Sequence, residues 1–341
     1  MSGPPYPPTN AGVGGRPATT VDTPISAVLL ALFLLGAIFN MAVFQINKRR
    51  DHKFLLSFLL FAFCMARCLA LVMRIVWAAK PTNVDIAIAA NVFTAAGVLI
   101  LFIVNLILAG RLLRAYQPNL GWRRAVRWSF RFLYFSVVAL LVMVITASVY
   151  SFFTIEPTPR RQTRDVQRFA ATYLAVLAFL PIPIVLFALL WPRSHPIDKF
   201  GHGRLRTKAA LVLFTSTLLA LGAGFRAGTT FDVRPANQPA WFHHRAAYYC
   251  FNFVIELVVV YTYALMRFDR RFHVPDGSSG PGHYNGTARK PSTFSDRINT
   301  EAEAFGPASE EGRPQNTEAQ EWDARAKREL EMQDRGEAVP V

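Results

Sequence analysis

The chain has 341 residues, of which 52% are hydrophobic and 17% are charged, and its formal net charge is +15. That composition is too apolar for an ordinary soluble domain. The charge divides into −5 for residues 275–341, which hold eight Lys/Arg and thirteen Asp/Glu, and +20 for the rest. Because most of the bases flank apolar segments, where they would meet lipid headgroups, membrane lipids are the expected partners and nucleic acid is not.

Residues 1–23 form a Pro- and Gly-rich arm that is too short and too poor in apolar side chains to fold alone, so we predict a disordered outer arm. Seven apolar segments follow, each long enough to cross roughly 30 Å of hydrocarbon as a helix. A backbone in lipid must satisfy its own hydrogen bonds, which favours helices over open strands. The predicted spans are Pro24–Ile46, Phe54–Ala79, Ile86–Leu112, Ser129–Phe153, Phe169–Trp191, Thr207–Phe231 and Ala246–Met266.

These spans predict an all-α, polytopic membrane protein with one seven-transmembrane helix bundle over residues 24–274. The remaining residues, 275–341, are predicted to be a mostly disordered cytoplasmic tail. If the N-terminus is outside, the inner flanks of the spans hold eighteen Lys/Arg and the outer flanks hold eight. This bias predicts an outer N-terminus and a cytoplasmic C-terminus, although Arg160, Arg161 and Arg164 fall on the outer side.

Proline positions predict a bend in the fifth span. Pro181 and Pro183 lie near its middle, where each removes a backbone donor and clashes with the preceding turn. A static bend that shapes packing is the simpler interpretation, and a hinge is the alternative.

Ionisable residues inside spans are costly and therefore informative. Arg67, Arg74, Arg226 and Glu256 are the four that lie well inside. Arg67 and Glu256 fall at a similar depth in spans two and seven, which predicts an ion pair between them. Arg74 and Arg226 lie in the outer half without an acid of matching depth. Two such cations would suit an anionic ligand or a lipid headgroup, or they would extend to the outer interface.

Helical spacing places an asparagine side chain beside these ionisable residues. Asn252 shares a stripe of span seven with Glu256. The hypothesis is therefore a ligand-binding site that comprises Arg67, Arg74, Arg226, Asn252 and Glu256.

A polar network inside the membrane is a second prediction. It joins Asn40 of span one and Asn105 of span three to Arg67 and Glu256. For the two asparagines the alternative is that they only fix helix packing.

Several kinds of intramembrane chemistry lack the residues that they require. The seven histidines lie in loops, at span ends or in the tail, which disfavours zinc hydrolysis and bis-histidine haem. Only one span carboxylate is expected, which disfavours a paired-acid protease, and no buried lysine is expected for a retinal Schiff base. We therefore expect no enzymatic activity, no metal and no cofactor.

A set of short motifs is distributed along the spans and the loops beside them. The motifs are His52-Lys53-Phe54, Phe63-Cys64-Met65-Ala66-Arg67, Arg74-Ile75-Val76-Trp77, Pro81-Thr82-Asn83-Val84, Phe179-Leu180-Pro181-Ile182-Pro183-Ile184, Phe225-Arg226-Ala227-Gly228-Thr229, Phe251-Asn252-Phe253 with Glu256, and Asp269-Arg270-Arg271-Phe272-His273-Val274-Pro275. Taken together, they resemble a fungal family of uncharacterised seven-transmembrane proteins that are labelled family-C-like G-protein-coupled receptor proteins. The resemblance covers roughly residues 20–285 and implies the fold and topology, without an established ligand or activity.

Two functions stay open at this point, and a purely structural membrane protein is the third option. One is a receptor-like sensor of a small or amphipathic ligand, for which the basic inner loops leave a cytoplasmic G protein as a candidate partner. Rhodopsin-like receptors usually end span three in an acid-Arg-Tyr triplet, whereas this chain has Gly110-Arg111-Leu112. The other is a transporter or lipid-translocating protein with Glu256 as its proton-linked group. Either would reside in the plasma membrane or an endomembrane.

Overall fold

A computed structural model of the chain describes residues 5–6, 10–49, 54–154, 156–192, 197–275 and 278–284. Within these ranges the chain is helical, and no β-strand occurs among them. The predicted cytoplasmic tail lies outside the described residues, apart from residue 275 and residues 278–284.

Seven helical stretches among the described residues are long and apolar enough to cross a membrane, which confirms the predicted seven-span bundle. Two of the seven stretches consist of paired helices, and the last one contains a π-helical turn. The helices are α1 (Asp22–Arg49), α2 (Leu55–Ala79), α3 (Val84–Ala96), α4 (Leu99–Tyr116), α5 (Pro118–Gly121), α6 (Arg124–Phe153), α7 (Pro157–Phe179), α8 (Pro181–Leu190), α9 (Leu205–Phe231), α10 (Arg245–Tyr249), the π turn Cys250–Val254, α11 (Ile255–Leu265) and α12 (Phe268–Arg271), with a 3₁₀ turn at Trp241–His243.

Large apolar side chains cover the outside of the bundle. On α6, for example, Trp128, Phe132 and Phe135 are each about two-thirds exposed or more. In water, an apolar surface of this extent would drive association, whereas in lipid it is the expected outer face. The seven apolar helices therefore indicate a membrane-embedded protein.

Three of the seven stretches are irregular, and the sequence predicted one of these irregularities. The fifth stretch divides at Leu180, directly before Pro181, as the two prolines predicted. The third divides between Ala96 and Leu99, and the seventh contains the π turn.

The loop predicted between spans four and five is mostly helix. Whereas the predicted fifth span begins at Phe169, α7 begins at Pro157. Arg160, Arg161 and Arg164 therefore lie on the first turns of α7. The first turns of α7 are charged, so a span predicted only from a continuous apolar segment does not include them.

The described part of the N-terminal arm is hydrogen-bonded to one end of the bundle, which we call the arm side. The amide of Tyr6 donates to the carbonyl of Phe152 at 2.8 Å, and the amide of Ala11 donates to Arg234 at 2.9 Å. Asn10 also forms an isolated antiparallel bridge with Pro235. The prediction that residues 1–23 are disordered was based on composition, which gives no information about contacts with the bundle.

Candidate functional site

Arg67 and Glu256 form a two-pronged ion pair in the middle of the bundle. Arg67 donates from Nε to Glu256 Oε2 at 2.5 Å and from Nη2 to Oε1 at 2.7 Å. Their side chains are 0% and 1% exposed. The predicted Arg67–Glu256 pair is thus present, and its fork geometry is the one that planar guanidinium and carboxylate groups favour.

The surroundings of Arg67 hold its guanidinium group in one place. Its Nη1 donates to the carbonyl oxygen of Thr94 at 2.7 Å. The rings of Phe63 and Phe253 lie 5.5 and 5.4 Å from its central carbon, within cation–π range. Gly97 leaves the space for this arrangement, because a Cβ there would lie only 3.2 Å from the guanidinium carbon.

Replacing Gly97 with Ala is expected to destabilise the bundle by about 1–3 kcal/mol, because the new methyl group would press on a guanidinium held on three sides. Thermal unfolding in detergent measures the effect. Gly224→Ala is the matched control, since a Cβ there meets nothing within 4 Å, and it should cause no loss. An equal loss in both variants would contradict the proposed role of Gly97.

Arg226 shares the same carboxylate. Its Nη2 donates to Glu256 Oε1 at 2.5 Å, and its Nε donates to Asn252 Oδ1 at 2.7 Å. Asn252 and Glu256 are four residues apart and form a cradle for this one side chain. Arg226 is 21% exposed, which makes it the accessible member of the group. We call Arg67, Arg226, Asn252 and Glu256 the central cluster.

The prediction that Arg226 has no matched acid is wrong, because backbone depth was compared without side-chain direction. Arg226 lies five residues before the end of α9, and Glu256 lies eleven residues after the start of α10. At 1.5 Å per residue, their backbone positions, measured from the arm-side ends of the two helices, differ in depth by roughly 9 Å. Side chains lean toward the N-terminus of their own helix, and since these two helices run in opposite directions, the two side chains approach each other.

The same prediction is also wrong for Arg74, which belongs to a different cluster on the arm side. Its Nη2 lies 3.1 Å from Asp22 Oδ1 and 2.9 Å from the carbonyl oxygen of Gly14. Asp22 is fully buried, accepts from Tyr249 OH at 2.8 Å and lies 3.2 Å from Arg245. We call Arg74, Asp22, Tyr249 and Arg245 the arm cluster.

The predicted network of asparagines is not joined to the central cluster. Asn105 donates to Ser216 Oγ at 3.1 Å and accepts from Tyr263 and, at 3.4 Å, from Thr215. Asn40 donates back to its own helix at Gly36, and its Oδ1 has no partner among the described residues. These contacts fit the packing role that the sequence left open for both asparagines.

One further expectation needs correction: a span does contain a buried lysine. Lys208, near the start of α9, is 0% exposed. Its ammonium group donates to the carbonyl of Phe200 and lies 4.3 Å from the centre of that ring. The contacts of Lys208 are therefore those of a group that ties a loop to a helix end.

Two features of the site were not predicted. The π turn Cys250–Val254 carries Asn252 and ends two residues before Glu256, so it sets how these two side chains face α9. Such turns often occur at functional sites. The acid of the arm cluster was also missed, since Asp22 stands just before the predicted first span. A carboxylate in the first turn of an apolar helix was the available signal.

The chain matches a family model from α5 to α12. Over residues 118–200 and 198–273 it is similar to a family described as a protein of unknown function (DUF3112). The matched ranges include Arg226, Asn252 and Glu256, but not Arg67. That description assigns no receptor activity and no source organism. No curated protein and no solved structure matches the chain.

Proposed function

We propose that this membrane protein is a receptor-like sensor that binds an anionic ligand, small or amphipathic, at the central cluster. The observation that carries the proposal is the imbalance of the cluster: two guanidinium groups share the single carboxylate of Glu256. Arginine stays charged in proteins, so the second guanidinium is left without a carboxylate of its own. A bound anion would supply the missing negative charge.

Exposure decides where this ligand would bind. Arg67 and Glu256 are closed off from the surroundings, whereas the side chain of Arg226 is one-fifth exposed. Arg226 is therefore the ligand-contacting group, and Asn252 is its immediate neighbour. Arg74 is not part of the proposed site, because Asp22 and the carbonyl of Gly14 already hold it.

A change in helix packing would carry the signal. Arg226 joins α9 to the π turn and α11, and the backbones of these elements are close where a Cβ at Gly222 would lie 3.2 Å from the carbonyl oxygen of Phe251. A ligand that draws Arg226 away from Glu256 would loosen that junction. It would stabilise whichever helix arrangement binds it more tightly.

Arg226→Gln is expected to abolish ligand stabilisation. A panel of fatty acids and monoalkyl phosphates, with alcohols of equal chain length as uncharged partners, is screened for shifts in the unfolding temperature of the purified protein. We expect an anion in the panel to raise that temperature in the wild type and in Arg206→Gln, an exposed arginine of the same helix. The shift should be absent in Arg226→Gln. Equal shifts in all three proteins, or none with any anion, would refute the proposed site.

The cytoplasmic partner in this proposal is a G protein. In lipid nanodiscs with a purified Gα subunit, the stabilising anion should accelerate nucleotide exchange in the wild type and not in Arg226→Gln. Failure of exchange across the panel, despite a thermal shift, would count against the receptor role and leave the binding site standing.

A transport or lipid-translocating role is the second candidate. It is favoured by the discontinuous helices around the central cluster: the last turn of α3, just before its break from α4, supplies the Thr94 carbonyl that accepts from Arg67, and the π turn carries Asn252. Transporter sites are commonly built from interrupted helices. With Glu256 as the proton-linked group, liposome flux should depend on pH and disappear in Glu256→Gln. Unchanged flux in that variant would remove this mechanism.

A further inference from the structure

A cavity of about 130 Å³ lies on the arm side, between the N-terminal arm, the end of α6 and the start of α7. One water needs roughly 10–15 Å³, so the cavity has room for a small group rather than a single solvent molecule. It involves none of the residues of the central cluster. Its lining includes Tyr6, Asn10, Phe152, Arg160, Arg164 and Gln167.

The lining is basic, and none of the described residues that form it is acidic. Arg160, Arg164 and Gln167 follow each other on α7 at spacings of four and three residues, which places them on one helix face. Two like charges four residues apart destabilise a helix slightly, and an anion placed between them would reverse that effect. The nearby carboxylate of Asp165 is 70% exposed and lies 3.4 Å from Arg168.

The arm contributes two of the lining residues, Tyr6 and Asn10. Tyr6 and Ala11 anchor it through backbone hydrogen bonds to Phe152 and Arg234. Asn10, which lies between these anchors in the sequence, is one of the residues that line the cavity with Arg160 and Arg164. The lining thus combines two guanidinium groups with the residues Asn10 and Gln167, and guanidinium groups form strong paired hydrogen bonds to phosphate oxygens.

We propose that this cavity binds a phosphate group, presented either as a free phosphate or as the headgroup of an anionic lipid. The cavity would then link the arm to α7 through the bound anion. This site does not depend on the function proposed for the central cluster.

The experiment uses the full chain in phosphate-free detergent and titrates inorganic phosphate, with sodium chloride of equal ionic strength as reference. We expect the dissociation constant to rise about tenfold or more for each arginine removed in Arg160→Gln/Arg164→Gln. Arg161→Gln is the matched control, because Arg161 neighbours both arginines, is exposed and does not line the cavity. Its affinity should equal that of the wild type.

A second arm of the experiment identifies the source of the phosphate. Phosphatidic acid in otherwise zwitterionic nanodiscs is scored by native mass spectrometry as lipid retained per protein. Retention in the wild type and in Arg161→Gln, with loss in the double variant and no binding of free phosphate, assigns the site to a lipid headgroup. If the double variant does not fold, Arg164→Gln and the charge-preserving Arg164→Lys are compared, and only the former should lose binding. Absence of both probes from the wild type, or equal binding by variants and control, overturns the proposal.

Discussion

Glu256→Gln is expected to lower the free energy of unfolding by about 3–5 kcal/mol, the usual loss when one partner of a buried ion pair is removed. The substitution keeps the size of the side chain and removes its charge. It would leave two guanidinium groups without their carboxylate, and Arg67 is completely enclosed. Chemical and thermal unfolding in a fixed detergent measure the loss.

The matched control is Asp165→Asn, which removes a carboxylate that is 70% exposed and lies 3.4 Å from Arg168. An exposed pair of this kind contributes at most about 1 kcal/mol, so the control should unfold almost as the wild type does. Comparable losses in the two variants would show that the central cluster does not hold the bundle together.

The shared carboxylate also predicts an asymmetry between its partners. Arg67→Met removes one cation but leaves Glu256 paired with Arg226, so no charge is left without a partner. We therefore expect a smaller loss of stability from Arg67→Met than from Glu256→Gln. An isolated two-residue pair would instead give similar losses in both directions.

Asp22→Asn is expected to cost about 3 kcal/mol and to release the N-terminal arm. Asp22 is fully buried and is the carboxylate partner of both Arg74 and Arg245. Without that charge, the nearly buried Arg74 guanidinium would lose its charged partner and keep the carbonyls of Gly14 and Gly15 and the rings of Trp77 and Tyr248. The expected loss is that of a buried pair that has been broken.

Amide hydrogen exchange localises this effect. The amides of Ala11 and Gly14 are bonded to Arg234 and His243, and they should exchange faster in Asp22→Asn as the arm opens. Asp232→Asn is the control on the same side, since its pair with Arg234 is about half exposed, and it should leave these amides protected. Unchanged exchange in Asp22→Asn would mean that the arm is held by other contacts.

Much of the candidate site could be predicted from residue type and depth alone. A charged group inside an apolar span requires a partner, and Glu256 was the one carboxylate recognised there, which predicted its pair with Arg67. The partner of Arg226 was not predicted, because depth along the backbone ignores the length and lean of the side chain. Nor was the partner of Arg74, since Asp22 was assigned to the arm rather than to α1.

Other features depend on the irregular backbone. Nothing in the residues Cys250–Val254 distinguishes a π turn from an ordinary helical turn, because the two kinds of turn differ only in which carbonyl each amide reaches. Similarly, Gly97 gave no sign that it lies against Arg67. Such contacts arise only when two helices meet.

The sequence by itself determined that this chain contains seven helices long and apolar enough to cross a membrane, and that Arg67 and Glu256 belong together. Both follow from local chemistry, since hydrocarbon requires apolar helices and penalises a lone charge. Only the tertiary structure decided that Glu256 serves two arginines, that Arg74 holds the arm through Asp22, and that Asn105 packs elsewhere. Those outcomes depend on the rotation and direction of helices from distant parts of the chain, which the spacing of residues along any one helix does not contain.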